Sequence, residues 1–481
     1  MRLSIPIAVA VLTRVASSHG RTDQVDVAIV GAGLSGLSAA KELSAVGKTI
    51  LVLEARDRVG GRILDVKLPN GGVVETGAAF IGPSQDRVLA LAAELQLETF
   101  PTYNSGENVL WQDGERVTYP TEGPAGNIPP ISESSLMQLA EAQARLNAMA
   151  QEIDVNAPWN HPQAVELDST TFDSWLDGAT PLEEARFLFD VATTSIFSAE
   201  PRELSLLYVV AYIASAGNST TPGTLERLTS TAGGAQERRI KGGMQQLAVK
   251  LAERLGKKRI ALNAPVRRVE RRGDSYQVTA DGITIKARHV VIAMSPPLAA
   301  RIVYRPQLPA QRDQLTQRLP MGSIGKAIAI YNQPFWRADG LTGQAVSDSG
   351  VVRSAFDISP EDGSYGALMG FIEADQMRKL DDKSEQEIQL RVTNDFVNYF
   401  GTNASNPIGW VIQRWDNEEF SRGGPVAFGP PGVLTQYAPA LTRPFERIHF
   451  AGTESAPYWT GYLDGAIRSG ERVAKEILDA F

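Results

Sequence analysis

The clearest alternation of apolar and polar positions lies near the start of the chain. Residues 25–30 (V-D-V-A-I-V) form a short apolar run, and the glycine-rich segment G-A-G-L-S-G follows at once. A helical pattern continues through A-A-K-E-L, and residues 49–53 (T-I-L-V-L) form a second apolar run that ends before Glu54. Short apolar runs on either side of a helical stretch predict a strand–helix–strand unit.

The rest of the chain alternates between two kinds of pattern. Residues 105–235 carry long helical patterns such as S-L-M-Q-L-A-E-A-Q-A-R-L-N-A-M-A, whereas strand patterns return at residues 266–269, 289–293 and 327–331. We therefore predict an α/β protein in which a Rossmann-type domain is interleaved with a mixed sheet-plus-helices substrate domain. The predicted nucleotide-binding domain comprises residues 25–105, 238–312 and 420–481, and the predicted substrate-binding domain comprises residues 106–237 and 313–419.

The glycine-rich segment has the spacing of a dinucleotide-binding motif. Gly31 permits a tight turn, Gly33 lets the backbone approach a pyrophosphate, and Gly36 allows close packing of helix and strand. The free N–H groups at the start of the helix attract phosphates. Glu54 lies 18 positions after the last glycine, where it can accept hydrogen bonds from ribose hydroxyls. The alternative, a glycine-rich loop and an unrelated surface glutamate, leaves the order of strand, glycines, helix and acid unexplained.

The composition narrows the classes of function. Hydrophobic residues make up 43% and charged residues 21% of 481 residues, which indicates a large packed core. A net charge of −8 argues against nucleic acid as a partner. The chain contains no cysteine, which excludes disulfides, thiolate metal sites and a cysteinyl bond to a cofactor. The four histidines show no metal-binding spacing, so we predict no metal site, and any enzymatic chemistry would come from a bound cofactor.

The first twenty residues resemble a secretory signal. Arg2 precedes an apolar run at residues 5–12, and small residues follow at 16–18. Arg14 interrupts this pattern, so an unstructured or strand-like extension is the alternative. The two interpretations leave the localisation undecided between a secreted and an intracellular protein.

No segment has the length and apolarity of a membrane span. Spanning a bilayer takes roughly 20 consecutive apolar residues, so we expect a soluble protein without a membrane anchor. Asn218 and Asn403 fit the glycosylation acceptor pattern, which chance alone also produces in a chain of this length. The sequence does not fix the oligomeric state, and a homo-oligomer is compatible with it.

Two further segments indicate which dinucleotide is bound. Residues 54–62 (E-A-R-D-R-V-G-G-R) have the pattern of the glutathione-reductase-like FAD proteins, in which the glycines and the last arginine meet the pyrophosphate. Residues 75–83 (E-T-G-A-A-F-I-G-P) resemble the segment that runs under the flavin ring in such enzymes. The cofactor contacts that these segments imply, besides Glu54, are Ala55, Arg56, Gly61, Arg62, Gly77 and Ala78.

From about residue 25 to its end, the chain resembles the flavin-containing monoamine oxidases. Gln236 in G-G-A-Q-E-R-R-I-K-G-G matches a glutamine of the substrate cavity, and Val266 in N-A-P-V-R-R-V matches the valine whose backbone meets the adenine. Lys326 in L-P-M-G-S-I-G-K matches the lysine that holds a water against flavin N5. Trp415 in Q-R-W-D-N-E-E-F matches the tryptophan beside the flavin.

The tail completes the resemblance. In A-G-T-E-S-A-P-Y-W-T-G-Y-L, Glu454 is implied to lie near the backbone on the flavin side. Gly461, Tyr462 and Leu463 are implied to lie against the isoalloxazine ring. Tyr462 would be one wall of the family's aromatic cage, and it is, with Lys326, the implied catalytic pair.

The chain departs from the family pattern in one loop. The cysteine that joins the flavin covalently in the mammalian enzymes has its counterpart at Pro425, so we expect FAD to be bound non-covalently. The tyrosine that forms the second cage wall falls on Val426. Because the loop is one residue shorter, we expect Phe428 to supply a ring to the substrate pocket instead. We also expect no counterpart of the C-terminal membrane anchor of the mammalian enzymes.

The resemblance implies oxidative deamination of a primary amine. A hydride equivalent leaves the carbon that bears the amine, the imine hydrolyses to an aldehyde and ammonia, and O₂ is reduced to H₂O₂. An L-amino-acid oxidase, which needs a cationic anchor for the carboxylate, and a polyamine oxidase, which needs acidic groups along its tunnel, are the nearest alternatives. An FAD-dependent isomerase or desaturase and a non-catalytic flavoprotein are alternatives of other classes.

Overall fold

The computed structural model describes residues 23–123 and 126–481. The predicted secretory signal, residues 1–20, lies outside this range. Within it, none of the helices is long and apolar enough to cross a membrane.

An eight-stranded sheet, the large sheet, is built from widely separated parts of the described chain. Asp23–Val30 lies between Ile283–Ala293 and Ile50–Leu53 and is parallel to both. Strand Ile448–Ala451, from the far end of the chain, pairs in parallel with Ile283–Ala293. The remaining strands of this sheet are Ile260–Ala261, Val266–Arg272, Ser275–Ala280 and Val303–Arg305.

A seven-stranded sheet, the small sheet, carries the other half of the β structure among the described residues. Its order is Gly409–Arg414, Ile324–Tyr331, Gly366–Glu373, Ser354–Asp357, Leu341–Ser347, Glu107–Gln112 and Glu115–Pro120. Only the pair of Leu341–Ser347 and Glu107–Gln112 is parallel, so this sheet is mixed. Two short ribbons pair Asp65–Lys67 with Val73–Glu75 and Thr99–Pro101 with Arg238–Ile240.

The helices cover the sheets and form a separate layer between residues 133 and 229. Those of the first part of the chain are Leu34–Ala45, Asp86–Glu94, Glu133–Gln151, Ala164–Ser169, Phe172–Ala179, Glu183–Phe197, Leu206–Ser215 and Leu225–Thr229. Those of the second part are Gln246–Leu255, Pro296–Ala299, Ala310–Arg318, Phe335–Ala338, Ala374–Arg378, Glu385–Phe400, Leu434–Tyr437 and Leu463–Leu478.

Local sequence signals explain where several helices begin. Ser205 precedes helix Leu206–Ser215, and its hydroxyl accepts a hydrogen bond of 3.0 Å from the N–H of Tyr208. Ser384 and Glu387 form a capping box at the start of helix Glu385–Phe400. Helix Leu206–Ser215 is apolar on nearly every face and is buried within the helical layer, as a helix without a polar side must be.

The two ends of the described chain meet at the large sheet. The C-terminal helix Leu463–Leu478 packs on the first helix, and the hydroxyls of Ser35 and Ser469 lie 2.5 Å apart. A side chain at Gly470 would overlap the backbone oxygen of Ser35, so glycine is what lets the two helices approach this closely.

These features confirm the predicted α/β class, the strand–helix–strand unit and the second mixed sheet. The strands of the large sheet come from residues 23–53, 260–305 and 448–451, and those of the small sheet come from residues 107–120 and 324–414. The domain boundaries proposed from the sequence stay a prediction.

Candidate active site

One elongated cavity of about 480 Å³ is lined by residues of both sheets and of the helical layer. Its first end, the nucleotide end, lies where parallel strands of the large sheet finish, at Val30, Leu53 and Ala293. This is the position at which open α/β sheets bind their ligands. Its other end, the chamber, is walled mostly by apolar side chains of the small sheet and the helical layer.

The glycine motif shapes the floor of the nucleotide end. Gly31 has a φ of +103°, and a Cβ there would lie 2.6 Å from the carbonyl oxygen of Ala293. A Cβ at Gly36 would overlap the carbonyl oxygen of Gly31, so this glycine serves packing and does not line the cavity. Gly33 has open space around its Cβ position, and no side chain caps the helix that follows it. The first N–H groups of that helix are therefore free to meet a phosphate.

Glu54 and its neighbours form one wall of the nucleotide end. The carboxylate of Glu54 accepts hydrogen bonds from the N–H of Ala32 at 2.7 Å and of Arg56 at 3.0 Å. These two donors fix the carboxylate at the end of its strand. Ala55, Arg56 and Val266, which were predicted to contact the cofactor, line the same stretch of the cavity.

An ion pair supports one wall of the cavity near its middle. The guanidinium of Arg62 donates to Glu454 at 2.7 Å and to the carbonyl oxygen of Pro425 at 2.7 Å. Arg62 and Gly61 line the cavity, whereas Glu454 stands behind Arg62. Glu454 therefore orients the arginine and, in this arrangement, does not itself face the cavity.

Lys326 and Trp415 both hold the segment at residues 75–77. The ammonium of Lys326 donates to the carbonyl oxygen of Gly77 at 2.6 Å, and the indole N–H of Trp415 donates to that of Thr76 at 2.9 Å. Both side chains line the cavity together with Gly77 and Ala78. Burial lowers the pKa of Lys326 to about 8, against the attraction of the nearby Glu75 carboxylate.

The tail supplies the wall opposite this segment. Gly461, Tyr462 and Leu463 line the cavity, and helix Leu463–Leu478 begins there. The ring centroid of Tyr462 lies 4.9 Å from that of the buried Trp459 and 6.1 Å from that of Tyr212. Burial raises the pKa of the Tyr462 phenol well above its usual range, so this hydroxyl stays protonated.

The chamber beyond Tyr462 is largely apolar. Gln236, a predicted substrate-pocket residue, lines the cavity; its amide nitrogen donates to the carbonyl oxygen of Leu228 at 3.0 Å, and its Oε1 has no partner within the part of the chain that the structure describes. The other chamber residues include Phe80, Leu188, Val191, Ser195, Ile196, Tyr212, Ile324, Val346, Ser354, Phe356 and Phe371.

The structure does not place Phe428 in the chamber, and that prediction was wrong. Its N–H donates to the carbonyl oxygen of Pro320 at 2.9 Å, and its ring is buried in the core of the helical layer. Val426 is buried in the same core, and Gly424 and Pro425 are the residues of this loop that reach the cavity. Among the residues that line the cavity, the aromatic neighbour of Tyr462 is Tyr212, whose hydroxyl abuts Gly461.

Sequence reasoning missed Tyr212, Ser195 and Phe371. Each lies in an ordinary helix or strand and carries no motif, so the local pattern indicates burial but not the cavity it faces. The one sequence signal for these cavity residues was a helix that carries polar or aromatic side chains on an otherwise apolar face.

The residues present fit FAD. The open space over Gly33, the uncapped helix behind it and the anchored carboxylate of Glu54 form a cradle for a dinucleotide. The cradle continues without interruption into a space flanked by Gly77, Trp415 and Tyr462, where a flat aromatic ring system can lie. Within residues 23–123 and 126–481, no group of three or more metal-ligating side chains is placed to hold a metal ion.

Comparisons with known proteins agree with this fit. Residues 34–478 match the family described as flavin containing amine oxidoreductase. The chain is 40% identical over 453 residues to AofH of Mycobacterium tuberculosis (strain ATCC 25618 / H37Rv), named as a flavin-containing monoamine oxidase, with 94% of this chain and 96% of that one covered.

Two solved structures share the whole architecture. Wild-type putrescine oxidase bound to putrescine superposes with a TM-score of 0.89 at 33% identity, over 95% of this chain and 99% of that one. Cyclohexylamine oxidase from Brevibacterium oxydans IH-35A gives a TM-score of 0.88 at 32% identity, again over 95% and 99% of the two chains.

Proposed function

The chain belongs to the family of flavin-containing amine oxidoreductases and is an FAD-dependent amine oxidase, and we propose that it deaminates a small primary amine. The products are an aldehyde, formed through hydrolysis of the imine, and ammonia, while O₂ is reduced to H₂O₂. FAD, which a chain without cysteine holds non-covalently, supplies the electron acceptor for this chemistry.

The observation that carries this proposal is the continuity of the cavity. The dinucleotide cradle opens directly into a chamber whose walls are apolar and aromatic and whose entrance is flanked by Lys326 and Tyr462. A small amine in that chamber lies beside the space that fits the flavin ring. Proximity of this kind converts the encounter into an effectively unimolecular step.

The chamber also favours the reactive form of the substrate. An apolar environment disfavours the ammonium form of an amine, so the amine tends to lose its proton on entry. The faces of Tyr462 and Tyr212 attract the incoming cation and then align the neutral amine. No side-chain nucleophile is required for this reaction.

We propose that Lys326 acts as a catalytic residue at the ring end of the cradle. Its ammonium is anchored on the carbonyl oxygen of Gly77, which fixes both the side chain and the segment that passes beneath the predicted flavin ring. Because burial lowers the pKa of Lys326 to about 8, which is close to neutral pH, its amine can bind or release a proton at the ring end of the cradle.

The chamber offers less support to an L-amino-acid oxidase. Such an enzyme needs a cation for the substrate carboxylate. Among the described lining residues, Arg56, Arg267 and Arg301 stand at the nucleotide end, and Arg62 is paired with Glu454.

The test is a peroxide-coupled screen of purified, FAD-loaded protein against primary amines, polyamines and L-amino acids. We expect H₂O₂ from primary amines and none from amino acids. Absence of peroxide with every amine would overturn the proposal, and peroxide from amino acids alone would replace it with the amino-acid oxidase. Acid precipitation of the same sample is expected to release the flavin into the supernatant.

A further inference from the structure

Four charged side chains meet at the ring end of the cradle. They come from four different strands and form what we term the charge cluster: Asp65, Glu75, Arg239 and Lys326. Of these four, Lys326 lines the cavity and the other three do not. Any influence of those three on a bound molecule therefore passes through Lys326.

The backbone holds Lys326 in one place whether or not its side chain is charged. Its Nζ donates to the carbonyl oxygens of Gly77 at 2.6 Å and of Glu75 at 3.3 Å. A neutral amine satisfies both carbonyls with its two N–H groups and keeps a lone pair, whereas an ammonium has a third N–H in that direction. The charge of Lys326 therefore decides whether Nζ can offer the cavity an acceptor or a donor.

The charge of Glu75 is largely cancelled by Arg239. The Arg239 guanidinium donates to the Glu75 carboxylate at 2.5 Å and to the carbonyl oxygen of Ser359 at 2.6 Å. Both charged side chains are buried. Glu75 raises the pKa of Lys326 and Arg239 lowers it, so the pair has a smaller net effect on the lysine than Glu75 alone would have.

Asp65 is the carboxyl that can balance the remaining charge. It stands directly opposite Glu75 in the ribbon, where side chains lie about 5 Å apart. Its Oδ2 accepts a hydrogen bond of 2.8 Å from the N–H of Gln245, while within the part of the chain described here its Oδ1 has no partner. Burial, and then the negative charge of Glu75, raises the pKa of Asp65 to about 7. The hydrogen bond from Gln245 and the positive charges of Lys326 and Arg239 oppose this rise.

We infer that Asp65 is a positioning residue that acts through Lys326: its negative charge balances the Lys326 ammonium and so sets whether Nζ is a donor or an acceptor. The inference rests on the proposed function, in which Lys326 is a catalytic residue. Because Asp65 does not line the cavity, its removal should change the pH dependence of the steps in which Lys326 takes part. Without the carboxylate the ammonium is less stable, so the pKa of Lys326 falls.

The first test is the pH profile of flavin reduction, measured by anaerobic stopped-flow absorbance with the primary amine that gives the most H₂O₂ in the screen. The reference is the ionisation that Lys326→Met removes from this profile. We expect Asp65→Asn to move it to lower pH by about one pH unit. The amide oxygen of the variant can still accept the N–H of Gln245, which preserves this contact.

Two further variants separate the charge from general effects. Asp65→Ser also lacks the carboxylate and is smaller, and it should move the ionisation in the same direction as Asp65→Asn. Asp274→Asn, at an exposed aspartate in a turn of the large sheet, is the matched control and should leave the ionisation in place.

The second test needs no catalysis and uses urea denaturation of the apoproteins. Between the ordinary pKa of 3.8 and about 7, the unfolded chain releases the Asp65 proton and the folded protein keeps it. The free energy of unfolding of Asp65→Asn relative to the wild type should therefore rise with pH and level off near pH 7. In a Lys326→Met background Asp65 lacks the neighbouring ammonium, so the rise should extend about one pH unit further.

The inference is overturned if the ionisation stays in place in both Asp65 variants, or if it moves equally in Asp274→Asn. It is also overturned if the rise levels off at the same pH in the wild-type and Lys326→Met backgrounds, because Asp65 and Lys326 then do not interact. Failure of the proposed function is a different result, namely no peroxide from any amine, and the apoprotein comparison still decides whether Asp65 acts on Lys326.

Discussion

The two ends of the cavity are built in opposite ways. The nucleotide end is formed largely by one contiguous stretch, Gly31 to Arg62, in which backbone groups and glycines form most of the lining. The chamber is assembled from side chains of helices and strands that lie far apart in the chain, such as Ser195, Tyr212 and Phe371. Backbone contacts recognise a cofactor that is the same throughout a family, whereas side chains can be exchanged singly to change a substrate.

The largest expected effects come from substitutions at the glycines of the nucleotide end. Gly36→Ala places a methyl group into the backbone of Gly31, and we expect it to lower the free energy of unfolding of the apoprotein by at least about 3 kcal/mol. Gly33→Ala meets no protein atom within 4 Å and is expected to leave that free energy unchanged. Urea denaturation of the two apoproteins measures this difference.

The same pair of variants tests the position of the cofactor. Because the open space over Gly33 is where the pyrophosphate should lie, Gly33→Ala is expected to weaken FAD binding by at least about tenfold in a fluorescence titration. A variant that binds FAD as the wild type does would move the pyrophosphate away from Gly33.

Lys326→Met tests the junction between the two ends. We expect the variant to retain FAD, because the cradle is untouched, and to lose about 100-fold or more in the rate of flavin reduction or reoxidation. Stopped-flow absorbance of the flavin, with amine under anaerobic conditions and then with O₂, measures both rates. Lys286→Met, an exposed lysine of the large sheet, is the matched control. Unchanged rates would remove Lys326 from the catalytic residues.

A pH-dependent effect concerns the buried carboxyl of Glu373, at the end of strand Gly366–Glu373. Burial raises the pKa of Glu373 to about 8, opposed by its hydrogen bond with Ser195 and the charge of Arg353, and reinforced by the charge of Glu200. Between its ordinary value of 4.5 and about 8, the unfolded chain releases this proton and the folded protein keeps it. The contribution of Glu373 to stability is therefore present at low pH and lost as pH rises.

Glu373→Gln lacks this titration, so its free energy of unfolding relative to the wild type should rise between pH 5 and pH 8. The rise is expected to be on the order of a few kcal/mol, measured by urea denaturation of the apoproteins. Glu115→Gln, at an exposed glutamate of the small sheet, serves as the control. Parallel pH profiles for Glu373→Gln and the wild type would show that Glu373 is ionised in the folded protein.

The difference between the two ends of the cavity also explains which site residues could be predicted from the sequence. The strand–helix–strand unit and the positions of Gly31, Glu54 and Arg62 follow from local spacing, since neighbours in the chain are neighbours in the site. The prediction for Phe428 failed because the path of a glycine- and proline-rich loop determines on which side the ring of Phe428 lies. The hydrogen bond of the Phe428 N–H to the Pro320 carbonyl turns the ring into the helical core.

The contact between Ser195 and Glu373 could not be predicted from local sequence patterns for a related reason. Ser195 lies in a helix and Glu373 at the end of a strand 178 positions later, and only the packing of that helix on the small sheet joins them. Polar residues in such positions usually face solvent. Neither the helix of Ser195 nor the strand of Glu373 carries a sequence signal that these two side chains face the interior.

The contact between the first and last helices has a consequence for the order of synthesis. A nascent chain that has not yet reached residue 448 lacks the strand that lies beside Ile283–Ala293 and the helix whose Gly470 nests against Ser35. It also lacks Gly461, Tyr462 and Leu463, which close the cavity. The closed cavity therefore exists only after residues 448–478 have been synthesised, so FAD binds it late in synthesis or afterwards.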